Sequence, residues 1–190
     1  MRDAQDDPEK RQLAEELLAV RCQLGEAAAF AELVELLHLR LWRYLVRLIG
    51  ERAAAEDVLQ ETWLRVLRDI SRLREPGRLV SWIFGIGRHI AIDRLRRRRV
   101  WVEASDSEVL QLPAKAEEEP ALAARLDQLT AELQELPLLE REVLTLFYLD
   151  ELSLRQVAEV VGVPEGTIKS RLFRARRLLH ERLVAQGDPQ

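Results

Sequence analysis

One cysteine, three histidines, eight glycines and seven prolines are all that 190 residues hold of the types that build disulfide frameworks, metal centres and turn-rich folds. Cys22 alone cannot close an intramolecular disulfide, and a cysteine-rich zinc site is excluded with it. A lone helical cysteine is either a small apolar filler or a redox-sensitive thiol, and the sequence leaves both open. His38, His89 and His180 are scattered, no glycine loop could cradle a phosphate, and no acid pair sits with a base. An enzyme is therefore not expected, nor a metal or cofactor. Long apolar runs are also missing. The longest, Leu79 to Gly87, is far too short to span a bilayer, so no membrane insertion is expected. The opening MRDAQDDPEK is acidic and polar, unlike a secretory signal, and a cytoplasmic protein is the expectation.

What is present favours helix. Hydrophobic residues make up 47% of the chain and charged residues 33%, with Leu, Ala, Glu and Arg dominant. The expected fold class is all-α. The formal net charge of −4 argues against a nucleic-acid binder, but its distribution does not. Arg97, Arg98 and Arg99 form one basic block, and Arg171, Arg174, Arg176 and Arg177 another. Local field and counterion release govern phosphate binding, so patches matter more than the sum. The preference for Arg over Lys suits bidentate contacts to phosphate or guanine, and is equally compatible with a coding bias.

The first dozen residues read as a frayed tail. From Ala14 to about Ile49 apolar residues recur at helical spacing, as in Phe30, Leu33, Leu37, Leu41, Leu45 and Leu48, before Gly50 interrupts. A second helix is expected over Ala53–Ile70, a loop over Ser71–Arg78 with its Pro-Gly pair, and a third helix over Leu79–Arg99. Glu103 to Pro120 is an acidic stretch with a single lysine, Lys115, and reads as a solvated linker. Periodicity resumes at Ala121, breaks at Pro137, and continues as helices over Leu139–Leu149, Leu154–Val161 and Glu165–Val184. The expected architecture is two small helical domains, residues 14–99 and 121–185, joined by a flexible acidic linker over 100–120.

The C-terminal domain holds the sharpest local signals. Ser153 and Gln156 have the spacing of a capping box. Gly162 can end the helix in a left-handed turn, and Pro164 suits the start of the next. Ala158, Gly162 and Ile168 allow two helices to cross closely, turn tightly and lock, which is the geometry of a DNA-reading helix-turn-helix. The inward stripe of the second helix is Ile168, Leu172, Ala175 and Leu179. Outward are Thr167, Lys169, Ser170, Arg171, Phe173, Arg174 and Arg177, the early ones placed for base edges and the arginines for phosphates. Phe173 could be core against a neighbouring helix or a contact to a thymine methyl.

In the N-terminal domain Leu59, Trp63, Val66 and Ile70 form a buried stripe. Asp57, Gln60, Glu61, Leu64 and Arg68 fall on the opposite face, which is either simply solvated or a surface for a basic helical partner. In the third helix Trp82, Ile83, Ile86 and Ile90 point inward, with Arg88, Arg94, Arg96 and the Arg97–Arg99 run outside.

The segments AEDVLQETWLRVLRD, SWIFGIGRHIAIDRLRRRR and LPLLEREVLTLFYLDELSLRQVAEVVGVPEGTIKSRLFRARRLL, in this order around an acidic linker, resemble bacterial RNA polymerase sigma factors of the extracytoplasmic-function (ECF) type. The resemblance covers about Phe30 to Leu183. It implies a promoter-specificity subunit of two domains, region 2 and region 4. Its partners would be core RNA polymerase (the β′ clamp helices and the β flap), promoter DNA and an anti-sigma factor. By resemblance, Asp57, Gln60, Glu61 and Leu64 dock on polymerase. Arg88, His89, Arg96 and Arg97 belong to the −10 reader, and Lys169, Ser170, Phe173 and Arg174 to the −35 reader. Gly87-Arg88-His89 replaces the family's common Ala-Arg-Asn, so base preference there does not transfer. The alternative function is a helix-turn-helix regulator that acts without being a polymerase subunit. It would explain residues 153–183 but not the Asp57–Glu61 face or the acidic linker.

Overall fold

The computed structural model describes residues 8–104, 133 and 135–186. Among these it is helical, with no strand. The elements are α1 (Pro8–Gln23), α2 (Ala27–Ile49), α3 (Arg52–Asp69), α4 (Leu79–Ala104), α5 (Leu138–Leu144), α6 (Leu154–Val161) and α7 (Glu165–Gln186). Two 3-10 turns, Ile70–Arg72 and Pro76–Arg78, fill the interval expected to be a loop. The periodicity resuming at Ala121 and the acidic stretch beyond Ala104 lie outside the described residues.

Two boundaries differ from the sequence expectation. The chain is already helical at Pro8, and the run expected from Ala14 to Ile49 is two helices, broken at Gly25 with φ 80°. Apolar periodicity persists across that break because both helices pack on the same core, so the pattern alone hides the turn. At its other end α4 runs to Ala104, five residues past the expected Arg99 and into the segment assigned to the linker.

The N-terminal unit is centred on α2. Leu33, Leu37, Leu41, Tyr44 and Leu45 are fully buried along one stripe. α3 and α4 pack against it and each other. Thr62 is the polar member of the α3 stripe, and its hydroxyl donates to the Val58 carbonyl at 2.7 Å, which removes the cost of burying it. Trp63, expected in the core, is only half-buried, because the stripe of α3 is centred on Val58, Thr62 and Val66. Cys22 is buried against this core, and burial pushes its thiol up. That favours the apolar-filler reading over a redox sensor.

The C-terminal unit has the expected helix-turn-helix. The Gln156 N–H donates to Ser153 Oγ at 3.2 Å, and the Ser153 N–H donates to Gln156 Oε1 at 2.9 Å. Both halves of the capping box are thus made. Gly162 has φ 76° and its N–H donates to the Ala158 carbonyl at 2.8 Å. Ile168 is fully buried at the joint, with Leu172 and Ala175 behind it, while Leu179 is partly exposed. The helix expected over Leu139–Leu149 starts a residue earlier, as α5, and ends in a wider π-type turn, Thr145–Leu149.

Space around the Gly162 Cα is open, so a side chain there meets only backbone strain. Gly162→Ala is expected to destabilise the chain by about 1–2 kcal/mol. Gly166→Ala, in equally open space in the first turn of α7, should stabilise by up to about 1 kcal/mol. Urea unfolding of both variants checks the opposite signs.

Candidate nucleic-acid and polymerase interfaces

The −35 candidates lie on α7. Lys169, Ser170, Phe173, Arg174 and Arg177 are exposed, and Thr167 and Arg171 are half-buried. Phe173 is 69% exposed, which resolves its alternative: it is not core. The outward face is presented by the capped α6 and the Gly162 turn, which fix the angle at which α7 leaves the unit. Arg174 Nε lies 3.3 Å from the nearly buried Glu140 carboxylate of α5, and Arg177 lies 3.5 Å from Glu181. These contacts hold the guanidinium groups near the helix surface. At such exposed arginines they add little stability.

The −10 candidates lie on α4 beside a cleft of about 610 Å³. Arg65, Arg68, Arg72, Arg74 and Arg78 line it, with Trp82 among the other lining residues. His89 lines it too, 3.4 Å from Asp93. Arginines around an aromatic ring are the combination that tracks a single-stranded backbone while offering a base a stacking surface. Arg96 and Arg97 are exposed further along α4. Arg88, read from sequence as outward, is instead half-buried and turned to the C-terminal unit.

The polymerase candidates Asp57, Gln60, Glu61 and Leu64 are all exposed on α3. Asp57 accepts from Arg94 Nη2 at 2.9 Å, and Glu61 from Arg65 Nη2 at 2.6 Å. Beside them runs a largely apolar groove of about 620 Å³, to which Gln60 and Leu64 contribute together with Phe30, His38, Trp42 and Trp63. His38 stacks on Trp63 with centroids 6.5 Å apart and planes 8° from parallel. Leu64 is 62% exposed and Leu39 52%. Exposed leucines beside a half-open aromatic groove make this an apolar patch at the surface. Sequence reasoning missed the groove because it placed Trp63 in the core. The leucines off the α2 stripe were the available signal.

The linker reading did not foresee that the two helical units touch. α6 packs along α4. Glu142 of α5 is completely buried at the junction. Its Oε1 accepts from Arg88 Nε at 2.7 Å and from the Tyr44 hydroxyl at 3.0 Å, and its Oε2 accepts from Arg88 Nη2 at 3.2 Å. Burial works against the Arg88 charge, but the hydrogen bonds and field of Glu142 outweigh it and hold the guanidinium above its usual range. Burial, then the Glu142 charge, push Tyr44 well above the ordinary phenol value, so its proton stays available to donate. A second carboxylate, Glu159 of α6, lies 2.5 Å from Ser81 Oγ and 3.3 Å from Arg78 Nε, on the edge of the arginine cleft.

Two family models match the chain: Sigma-70 region 2 over residues 33–100 and Sigma-70, region 4 over residues 126–179. The arginine cleft and the α3 face fall in the first, the helix-turn-helix in the second. The ECF RNA polymerase sigma factor SigL of Mycobacterium tuberculosis is 36% identical over 174 residues, covering 86% of this chain and 96% of that protein. SigM of Bacillus subtilis is 34% identical over 140 residues, covering 73% of this chain and 85% of its own. Among solved structures, the sigma factor RpoE in complex with the anti-sigma factor NepR from Bartonella quintana superimposes with a TM-score of 0.74 at 27% identity. That alignment covers 81% of this chain and 96% of that one. The chain belongs to the ECF RNA polymerase sigma factors, the sigma-70 proteins that direct RNA polymerase to promoters. No helix among the described residues is long and apolar enough to cross a membrane.

Asp150, after the π-type turn, also belongs to the junction. Arg40 of α2 donates to its carbonyl. Burial pushes its carboxyl up to about 7, against the lowering influence of Arg47, Arg40 and Arg43. A folded-state value above the unfolded one means that the native protein holds a proton the unfolded chain has released. Stability from this site is therefore present in acid and is lost as pH rises toward 7. Between pH 5 and 7 the wild type should lose up to about 1.4 kcal/mol per pH unit through Asp150. Asp150→Asn should flatten the profile by that amount. Parallel pH profiles in chemical unfolding would contradict it.

Proposed function

We propose that the residue-level division of labour follows the three surfaces. On α7, Lys169, Ser170, Phe173 and Arg174 read the −35 element in the major groove, while Arg171 and Arg177 hold phosphates, with Thr167 at the leading edge. The cleft between α3 and α4, with Arg88, His89, Arg96 and Arg97, captures the melted −10 strand. The α3 face of Asp57, Gln60, Glu61 and Leu64, continued by the apolar groove, docks on core polymerase. The C-terminal unit completes the assembly against the β flap.

The observation that supports this most is that one chain holds an exposed basic reading helix, an arginine-lined cleft suited to a single strand, and a separate acidic and leucine face suited to a protein. A duplex-binding regulator needs only the first. The chain acts as a binding subunit without catalytic chemistry of its own, in the cytoplasm where the polymerase works. The RpoE–NepR complex supports an anti-sigma factor as a further partner.

Run-off transcription with core polymerase over a genomic promoter library tests the reading, and promoter-dependent initiation is expected. Tight core-independent binding to a palindrome, with no initiation, would overturn it. Within that assay Leu64→Ala should weaken core binding by about 1–2 kcal/mol, as loss of an exposed anchor does. Arg174→Ala should cost about 1–3 kcal/mol on the preferred −35 sequence and relax specificity there. Arg177→Ala, which removes a phosphate contact, should weaken all sequences alike and lower the salt slope by about one. Filter binding of holoenzyme across salt concentrations separates these outcomes.

A further inference from the structure

One wall of the arginine cleft is a short stretch of irregular backbone. Residues 70–78 supply Arg72, Leu73, Arg74, Glu75 and Arg78 to its lining. The two 3-10 turns at its ends close on themselves. Leu73 N–H donates to the Ile70 carbonyl at 3.1 Å, and Arg78 N–H to the Glu75 carbonyl at 2.9 Å. Between them the backbone is extended at Leu73 and Glu75, so no repeating helical bond sets how the arginines project. Arg72 pairs with Asp69 at 3.3 Å and Arg78 with Glu75 at 2.9 Å, but both arginines are exposed and such pairs hold little.

The wall is held from behind by α1. That helix packs on both 3-10 turns, yet none of its described residues lines the cleft. Its last residue is Gln23, half-buried just ahead of the left-handed turn at Gly25. Gln23 Nε2 donates to the Leu73 carbonyl at 2.6 Å and to the Ile70 carbonyl at 3.4 Å. One amide thus ties both ends of the first turn to α1. Two helical turns earlier, Glu16 accepts from Gln12 Nε2 at 2.9 Å. The second turn runs so close beneath it that a Cβ at Gly77 would stand 2.7 Å from Glu16 Oε1.

We propose that Gln23 is a positioning residue of the −10 reader, its amide fixing the backbone from which Arg72 and Arg74 meet the melted strand. The proposal deepens the −10 reading of the cleft made above and rests on it. Gln23 lies behind the wall, so its effect on the strand passes through the carbonyls it holds. A wall fixed before binding discriminates between bases by fit, whereas a yielding one repacks around several. It must also be ordered when the strand binds, which subtracts from affinity. The −35 helix α7 and the exposed α3 face share no contact with Gln23, so their functions should not follow it.

Holoenzyme made from the full-length chain and core polymerase tests this by selection from two duplex pools. Both are built on a promoter recovered from the run-off library, one randomised at the −10 positions and one at the −35 positions. Gln23→Met, close in shape but without the donor, should flatten the −10 preference by about threefold to tenfold and leave the −35 preference at the parent level. Gln23→Lys restores a donor and should recover the −10 preference. Its added charge attracts all phosphates alike and cancels in a ratio between sequences. An unchanged −10 preference in Gln23→Met, equal losses at both elements, or no recovery with Gln23→Lys overturns the proposal. Hydrogen exchange of the free full-length chain reads the brace without DNA. Amides of residues 70–78 should exchange faster in Gln23→Met and at the parent rate in Gln23→Lys, and equal rates in all three overturn the bracing. If the parent itself shows no base preference at the −10 positions, the reading of the cleft falls and takes the functional half of the proposal with it. Faster exchange in Gln23→Met then leaves the brace standing alone.

Discussion

The Glu142 carboxylate governs how the two halves of this protein meet. It is fully enclosed, and a charge so placed is tolerable only because Arg88 and Tyr44 supply three hydrogen bonds from the other unit. The geometry is specific, since a two-point contact from a guanidinium fixes orientation as well as distance. Tyr44 and Arg88 come from α2 and α4, so the same contact sets the position of α5 against two helices at once. Around it the Arg40 contact to the Asp150 carbonyl and the Ser81 contact to Glu159 extend the junction in two directions. A buried ion pair of this kind is weak evidence for net stability and strong evidence for a chosen arrangement.

The helix proposed to read the −35 element, α7, is held outward by a capped helix and a left-handed glycine, features local to its own unit, so it is formed whether or not the units touch. The α3 face proposed to dock on polymerase keeps its exposed leucines and aromatic groove open.

Much of this was legible in the sequence where the signal was local. The capping box at Ser153 and Gln156, the turn at Gly162, the plug at Ile168 and the exposed α3 face all appear as the residue pattern implies, because each depends on neighbours within a few positions. Non-local features were not. The break at Gly25 was hidden by core periodicity shared across two helices. Trp63 was read as core from its spacing, although Thr62 takes that position and leaves the indole to line a groove. Arg88 was read as outward because an arginine on a helix normally is. Only the fold brings Glu142 to it across 54 positions. Glu142 and Glu159 resemble any other acidic residues of an Arg- and Glu-rich chain, and nothing in their immediate context marks them as contacts between units.

The most direct measurement of that central contact is the Arg88 Nε–H resonance in the proton–nitrogen spectrum of the full-length chain. A hydrogen bond to an enclosed carboxylate predicts a downfield signal that exchanges slowly with water and is lost in Glu142→Gln. A fast-exchanging signal at the position of a free arginine, unchanged by that substitution, would contradict the account.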